Sequence, residues 1–433
     1  MPSVLSAILN RSRQLITLAY ILFWTLVTLV VVQGLLVLGF VWRLLHFRRE
    51  LLPDEACRKG AVILSLRGGD PFLEKCISGL LAQDYPNYEV HVVVDHPDDP
   101  ANATLSDSLA GCDSSKVHLQ FLDHPRDTCS LKCSSVVQAV KSLDESVEFI
   151  AQLDADTIPH ATWLRELATA ISDDRVGAAT GNRWYMPEDP SMASLIRYAW
   201  NAAAIVQMYW YRIAWGGTLA VKTRVFRETD LLDKWSNAFC EDTMLYTQLK
   251  RAGFRLEFVP SLMMINREDC DLAGYFRWVR RQLLTARLYH PAWGAVVGHG
   301  VLTTLSPLLA LVLAVVGLIA GQHEVAAWCF VGVVFYQLAV TVMLPPMEYS
   351  VRRIAAARGE PTRWLTLWNT LKCTFVIAGT QYVYCAALCS AIRLRVVDWR
   401  GVKYEIHAQG RVKLVEYKPY ESAEKEDQKA VSL

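Results

Sequence analysis

The sequence has no surplus of charge of either sign. Its 433 residues carry 44 Lys and Arg against 43 Asp and Glu, a formal net charge of +1. That balance does not point to nucleic acid, and no such partner is expected. Zinc-knuckle chemistry is missing as well: the 11 cysteines form no C-x-x-C pair and no Cys/His ladder at metal spacing. Cys129 and Cys133, like Cys385 and Cys389, stand four apart, closer to helical spacing than to a metal site. An odd number of scattered thiols reads as free cysteine in a reducing compartment. Internal repeats are absent, which excludes a solenoid. The first apolar run exceeds a signal-peptide core and lacks a small-residue cleavage site, so it reads as an anchor.

What the sequence has in abundance is apolar surface, with 52% hydrophobic residues. Four runs, 15–42, 301–320, 326–345 and 373–392, are long enough to cross about 30 Å of hydrocarbon. Each has a buried core helix as its alternative, and Lys372 at the edge of the last leaves that run the most open. Only "GQHEV" separates the second from the third, so those two are expected to form a hairpin. Arg43, Arg48 and Arg49 follow the first run, against Arg11 and Arg13 before it; Arg352, Arg353, Arg358 and Arg363 follow the third. Basic loops stay inside, so the expectation is an integral membrane protein whose main domain faces the cytoplasm. A fourth crossing would put Arg393, Arg395 and Arg400 outside, against that rule. A re-entrant segment would resolve this, and "TRWLTLWNTLK" ahead of it has the Trp-rich pattern of an interfacial helix. The expected organisation is an N-terminal segment 1–14, a span 15–42, a catalytic domain 43–290, a membrane region 291–392 with about three helices, and a C-terminal segment 393–433 ending in a disordered tail.

Between residues 61 and 289 short apolar runs alternate with amphipathic ones. "AVILSL", "YEVHVVVD", "VHLQFL" and "FIAQLDAD" read as strands; "PFLEKCISGLLAQ" and "SLKCSSVVQAVKSL" read as helices. Such alternation predicts an α/β fold with a mostly parallel, doubly wound sheet. Ligands of such sheets lie beyond the carboxyl ends of the strands, where Arg67, Asp95 and Asp154 stand.

The stretch "FIAQLDADTIP" aims two carboxylates, Asp154 and Asp156, from one strand tip. Like charges so placed repel unless one is protonated or a cation lies between them. Mg²⁺ or Mn²⁺ held with substrate phosphates satisfies that demand. The alternative is a surface turn in which Asp156 or Thr157 caps the next helix. In "HVVVDHPDDPAN", Asp95, Asp98 and Asp99 can accept bonds from a base or ribose, or form an Asx turn before Pro100. In "FCEDTMLYTQLKRAGF", Glu241 and Asp242 open an amphipathic helix, either as capping charges or with Asp242 as a general base for an acceptor hydroxyl. In "YFRWVRRQLLTARLYHPAW", Arg277, Arg280, Arg281 and Arg287 share one helix with Trp278; they match phosphate oxygens of a diphosphate or lipid headgroups at the membrane.

In this order these motifs resemble the family 2 glycosyltransferases, most of all the ceramide glucosyltransferases and their bacterial relatives. The likeness spans residues 15–404. It is carried by "SLRGGDPFLEKCISGLLAQDYPNYEVHVVVDHPDDPA", by "WGGTLAVKTRVF" and by "WRGVKYEI". The resemblance implies a GT-A, Rossmann-like catalytic domain. It places Arg67, Gly68 and Asp95, with Asp98 or Asp99, at the nucleotide, and Lys132 on the helix after the diphosphate region. It makes Asp154 and Asp156 the metal-binding pair and Asp242 the catalytic base. Trp215, Gly216, Gly217, Glu241 and Trp278 fall on the acceptor side. The family's (Q/R)-x-x-R-W motif maps onto Arg277-x-x-Arg280-Arg281 or onto Trp278-x-x-Arg281-Gln282, with Gln282 where the motif has Trp. Arg281 joins the catalytic set, and Arg277, Arg280 and Gln282 the donor set.

The expected activity is an inverting, metal-dependent transfer of a hexose, glucose by resemblance, from a UDP-sugar donor to the hydroxyl of a lipid acceptor in the bilayer. A processive polysaccharide synthase, or a non-catalytic membrane scaffold with the same fold, are the alternatives.

Overall fold

The structure, a computed structural model, describes residues 2–187 and 190–420. The chain opens with one long helix, α1 (Pro2–His46), whose apolar stretch runs Ser12–His46. A sheet-containing domain follows as β1 (Gly60–Leu66), α2 (Leu73–Leu81), β2 (Tyr88–Val94), α3 (Pro100–Leu109), β3 (Val117–Phe121), α4 (Leu131–Ser142), β4 (Phe149–Leu153) and α5 (Trp163–Ile171). It continues through β5 (Val176–Tyr185), α6 (Met192–Tyr211), β6 (Thr218–Lys222), α7 (Thr223–Glu228), α8 (Leu231–Trp235), α9 (Leu245–Arg251), β7 (Arg255–Asn266) and α10 (Leu272–Tyr289). Three long helices, α11 (Trp293–Ile319), α12 (His323–Ala357) and α13 (Leu367–Arg393), precede three short strands, β8 (Val396–Trp399), β9 (Val402–Ile406) and β10 (Val412–Glu416).

Seven strands form one sheet in the order β3-β2-β1-β4-β6-β5-β7. All neighbours are parallel except β6, which runs antiparallel to β4 and β5. The wholly buried "FIAQL" of β4 shows why: a central parallel strand is covered on both faces and needs no polar side. The two-residue period divides it. Phe149, Ala151 and Leu153 pack toward α2 and α5, while Ile150 faces α4 and Trp235.

A separate apolar cluster joins the end of α1 (Phe40, Leu44), α6, α10, α12 (Met347, Val351) and α13 (Ile377, Leu388). This seam fixes the catalytic domain on the membrane helices. Among the described residues, four helices are long and apolar enough to cross a membrane: one before the sheet-containing domain and three after it. Their outer faces keep Leu35, Leu309, Phe330 and Val342 exposed, as lipid-facing surfaces do.

The segment ahead of α13 and the last turn of α13 are both tied to the sheet-containing domain. Ahead of it, Arg358 donates to the carbonyls of Ser261 and Met263 at 2.9 and 2.7 Å, and Arg267 pairs with Glu360 at 3.2 Å. At its far end, Arg287 of α10 donates to the carbonyls of Ala391, Ile392 and Leu394. The C-terminal segment is folded up to residue 420: Val397, Val402, Tyr404 and Val412 enter the same core as Val136 and Phe239. The expected disordered tail, from residue 421, lies outside the described residues. The helix itself is unbroken, with no re-entrant loop within it.

Because the segment ahead of α13 and its last turn contact one domain, both are expected on the same side of a membrane. An epitope inserted at residues 363–364 and another fused to the C-terminus should therefore be cleaved together, or spared together, by protease added to sealed vesicles. Opposite protection of the two tags would show that α13 carries the chain across.

Candidate active site

The strand tips assemble the site. Arg67 and Gly68 follow β1, Asp95 follows β2, and Asp154 and Asp156 follow β4. All but Gly68, whose N–H bonds Asp99 behind the wall, line a polar cavity of about 170 Å³, closed by the first turn of α4, the Gly216 turn before β6, the loop before α9, and one face of α10.

Lys132 is the hub. Ser130 caps α4 by accepting from the N–H of Cys133 at 3.1 Å, which starts the helix where Lys132 points into the cavity. Its Nζ lies 2.7 Å from Asp154 Oδ1 and 2.9 Å from Glu241 Oε1. Burial alone would lower the Lys132 pKa, but the two carboxylates raise it well above its ordinary value. Burial would likewise raise Asp154, yet the ammonium holds it below the usual range. Asp156 is pushed up to about 6 by burial and by the charges of Asp154 and Asp70. Glu241 is raised by burial and by neighbouring Asp242, against the pull of Lys132.

The expected alternative of a helix cap at Asp156 or Thr157 is not what forms. Helix α5 begins at Trp163 after Thr162, without a side-chain cap. Among the described residues, the Asp156 side chain accepts a hydrogen bond from the hydroxyl of adjacent Thr157, at 3.2 Å. Two hard oxygen donors on one cavity wall fit a hard divalent cation such as Mg²⁺ or Mn²⁺.

Asp242 is held by the backbone N–H of Gly216 at 2.9 Å and of Thr243 at 2.6 Å. It precedes α9 rather than opening it, since that helix starts at Leu245. The paired glycines permit close approach. A Cβ on Gly216 would come within 3.0 Å of Lys132 Nζ, and one on Gly217 within 2.7 Å of Asp154 Oδ2.

Other expected residues divide. Asp95 forms an ion pair with Arg67 and is pushed up to about 6 by burial, against the pull of that guanidinium. Asp99 is buried and accepts from the N–H groups of Gly68 and Ala101, both at 2.9 Å; it shapes the Gly68 loop and caps α3. Asp98 points outward, its side chain 90% exposed. Neither reaches the cavity wall, so of the three aspartates only Asp95 does. On α10, Trp278, Arg281 and Gln282 face the cavity, while Arg277 is exposed and Arg280 also lies off the wall. A helix presents one side to a site, and residues one turn apart share it. Trp278 and Glu241, expected on the acceptor side, line this polar cavity instead, Glu241 through its pair with Lys132.

Sequence reasoning missed Arg183, at the end of the otherwise buried β5. Its guanidinium lies over Trp278 at 4.7 Å and Trp215 at 5.2 Å. A lone Arg in a fully buried strand was the available signal. Trp399 and Arg400 also line the cavity; their motif was visible, their place in the site was not.

A second cavity of about 210 Å³ adjoins the first, lined chiefly by apolar side chains. It runs between α1 (Leu36), α6 (Ala204), α11 (Val296), α12 (Val340, Met343) and α13 (Ile377). Arg183, Trp215, Asp242, Gln282 and Thr285 belong to both walls.

Comparison with known proteins agrees with this architecture. A family model described as glycosyl transferase family 21 matches residues 22–412. Among curated proteins none matches the chain. Similar solved structures include a mannosyltransferase, PcManGT, from Pyrobaculum calidifontis in complex with GDP-Man and Mn²⁺, at 17% identity and a TM-score of 0.46, covering 86% of this chain and 99% of that one. Glucosyl-3-phosphoglycerate synthase from Mycobacterium tuberculosis, in complex with Mn²⁺, UDP and its product, follows at 13% identity and a TM-score of 0.37, covering 55% and 84%. S. aureus TarS 1–349 gives 12% identity and a TM-score of 0.34, covering 83% and 100%.

Removing the hub leaves two buried carboxylates facing each other. Lys132→Met should cost about 3 kcal/mol, seen as an apparent Tm lower by roughly 6–12 °C in detergent. Adding Glu241→Gln should recover part of that loss, because one uncompensated charge is gone.

Proposed function

The chain belongs to glycosyl transferase family 21, and on that footing we propose that it is a membrane-bound, inverting transferase that moves a hexose from a UDP-sugar to the hydroxyl of a lipid. The observation that carries this reading is the position of Asp242, where the polar cavity meets the apolar one. A donor with its diphosphate among Arg281, Lys132 and the strand-tip aspartates would present its anomeric carbon toward that junction. An amphiphile whose chains lie between α1, α11, α12 and α13 would present its hydroxyl there without leaving the membrane.

Asp242 then acts as general base. Its carboxylate, fixed by two backbone N–H groups, takes the hydroxyl proton as that oxygen attacks from the face opposite the diphosphate. Arg281 and Lys132 supply positive charge to the diphosphate as it leaves. Asp154 and Asp156 would hold a divalent cation, Mg²⁺ or Mn²⁺, whose chemistry is to neutralise the same diphosphate. Glucose as the sugar, and a ceramide or similar lipid as the acceptor, follow from the family resemblance. The basic loops Arg43–Arg48–Arg49 and Arg352–Arg353–Arg358 support a cytoplasmic catalytic domain, where nucleotide-sugars are supplied. The apolar lining of the second cavity favours a single-sugar lipid product over a processive polymer, whose growing chain would need a polar path.

The test is turnover by the purified full-length protein in native lipid extract, with radiolabelled UDP-sugars, with and without Mn²⁺ or Mg²⁺. One metal-dependent labelled lipid spot supports the reading, and a polymer ladder at the origin would replace it with the synthase. Asp242→Asn should lower kcat by about a thousandfold or more while the donor Kd stays within twofold; loss of donor binding would make Asp242 structural. Ala204→Phe, which narrows the apolar cavity, should cut transfer to lipid about tenfold and leave UDP binding unchanged.

A further inference from the structure

Strands β8 and β9 are joined by a two-residue turn, Arg400-Gly401. Both residues have positive φ, 50° and 76°. That is the mirror-image turn that suits a twisted hairpin, and it favours glycine or asparagine at both places. Gly401 meets the demand. Arg400 does so only against the repulsion between its Cβ and the backbone. Strain of this kind persists where the surroundings impose it, and it clusters at functional sites.

The left-handed turn places the Arg400 side chain on the wall of the polar cavity. Its Nη1 donates to the carbonyl of Arg67, whose Nε donates back to the Arg400 carbonyl at 3.0 Å. Its Nη2 stays 3.4 Å from Asp70, a long contact that leaves donor capacity toward the cavity. Trp399, one residue before, lies under the Arg281 guanidinium at 4.9 Å. Arg183 faces the same space. Three guanidiniums thus converge on one small cavity, whose carboxylate Asp154 is also paired with Lys132. Burial and the charges of Arg400 and Arg183 lower the Arg281 pKa to about 10, the mark of cations crowded together. An anion with several oxygens relieves such crowding, and planar guanidinium forks match phosphate.

We propose that Arg400 is a donor-binding residue that holds the diphosphate of the nucleotide-sugar, so that the β8–β9 hairpin completes a donor site from beyond the membrane helices. This rests on the nucleotide-sugar reading above. It also gives "WRGVKYEI" a role beyond the packing of Val402 and Tyr404 in the core. The hairpin is firmly seated for that role: the Leu131 N–H, at the start of α4, donates to Tyr404 Oη at 3.2 Å, and Tyr289 Oη donates to the Gly410 carbonyl at 2.8 Å.

Arg400→Gly separates backbone from side chain, because glycine relieves the turn while removing the guanidinium. Binding of UDP and of uridine to the full-length protein with Mn²⁺ is the measurement. The glycine variant should keep or raise the apparent Tm, bind UDP about tenfold or more weakly, and bind uridine within twofold of the parent. Arg400→Lys should recover part of the UDP affinity. Unchanged UDP affinity in a stable glycine variant would overturn the proposal, as would a parallel loss of UDP, uridine and Tm. If the parent protein itself fails to bind UDP, the nucleotide-sugar reading falls and this proposal with it.

Discussion

One ammonium holds the site together. Lys132 bridges a strand tip, a helix start and a catalytic loop, pairing with Asp154 and Glu241 at hydrogen-bond distance. Without it, three acids (Asp154, Glu241 and Asp242) would crowd one cavity with no ammonium among them, at a cost in stability. With it, the acids can sit close enough to act on one substrate. The Gly216-Gly217 turn is its steric counterpart, since any side chain there would meet the ion pair. The site is therefore a compact electrostatic unit, whose glycines are as necessary as its charges.

That unit stands at a boundary between two media. The sheet is an ordinary doubly wound core, but α6, α10 and the ends of α1, α12 and α13 form a second apolar cluster that binds it to the membrane helices. Asp242 lies where the two regions meet. In the proposed function, a polar donor and an apolar acceptor would reach this one carboxylate from opposite sides, each through the medium that dissolves it. Arg183 closes the same junction, its cation stacked between Trp215 and Trp278 rather than matched to a carboxylate.

Helix α13 is apolar enough to cross a membrane, yet the residues ahead of it, at Arg358, and its own last turn hydrogen-bond to the same domain, and the three strands after it enter that domain's core. The basic residues at 393–400, which looked misplaced in a simple count of crossings, thus lie against the same domain as Arg358. This packing also encloses the site with a segment more than 200 residues from the D-x-D pair in the sequence.

Much of this was legible before any coordinates. Continuous apolar runs ending in charge identify parallel strands and their functional tips, because a strand buried on both faces has no reason to end in aspartate unless something binds there. Long uncharged runs identify the membrane helices. Tertiary structure alone decided which charges share a cavity. Asp98 and Asp99 are neighbours, yet one is a solvated side chain and the other a backbone cap, a difference set by where the Gly68 loop lies. Arg277, Arg280 and Arg281 occupy one helix, but only its inward face reaches the donor cavity. Arg183 and Arg400 carry no local pattern that assigns them, since their roles come from a strand pairing and a hairpin return. Sequence periodicity reports what a segment does with its own two faces; contacts between distant segments arise only when the chain closes on itself.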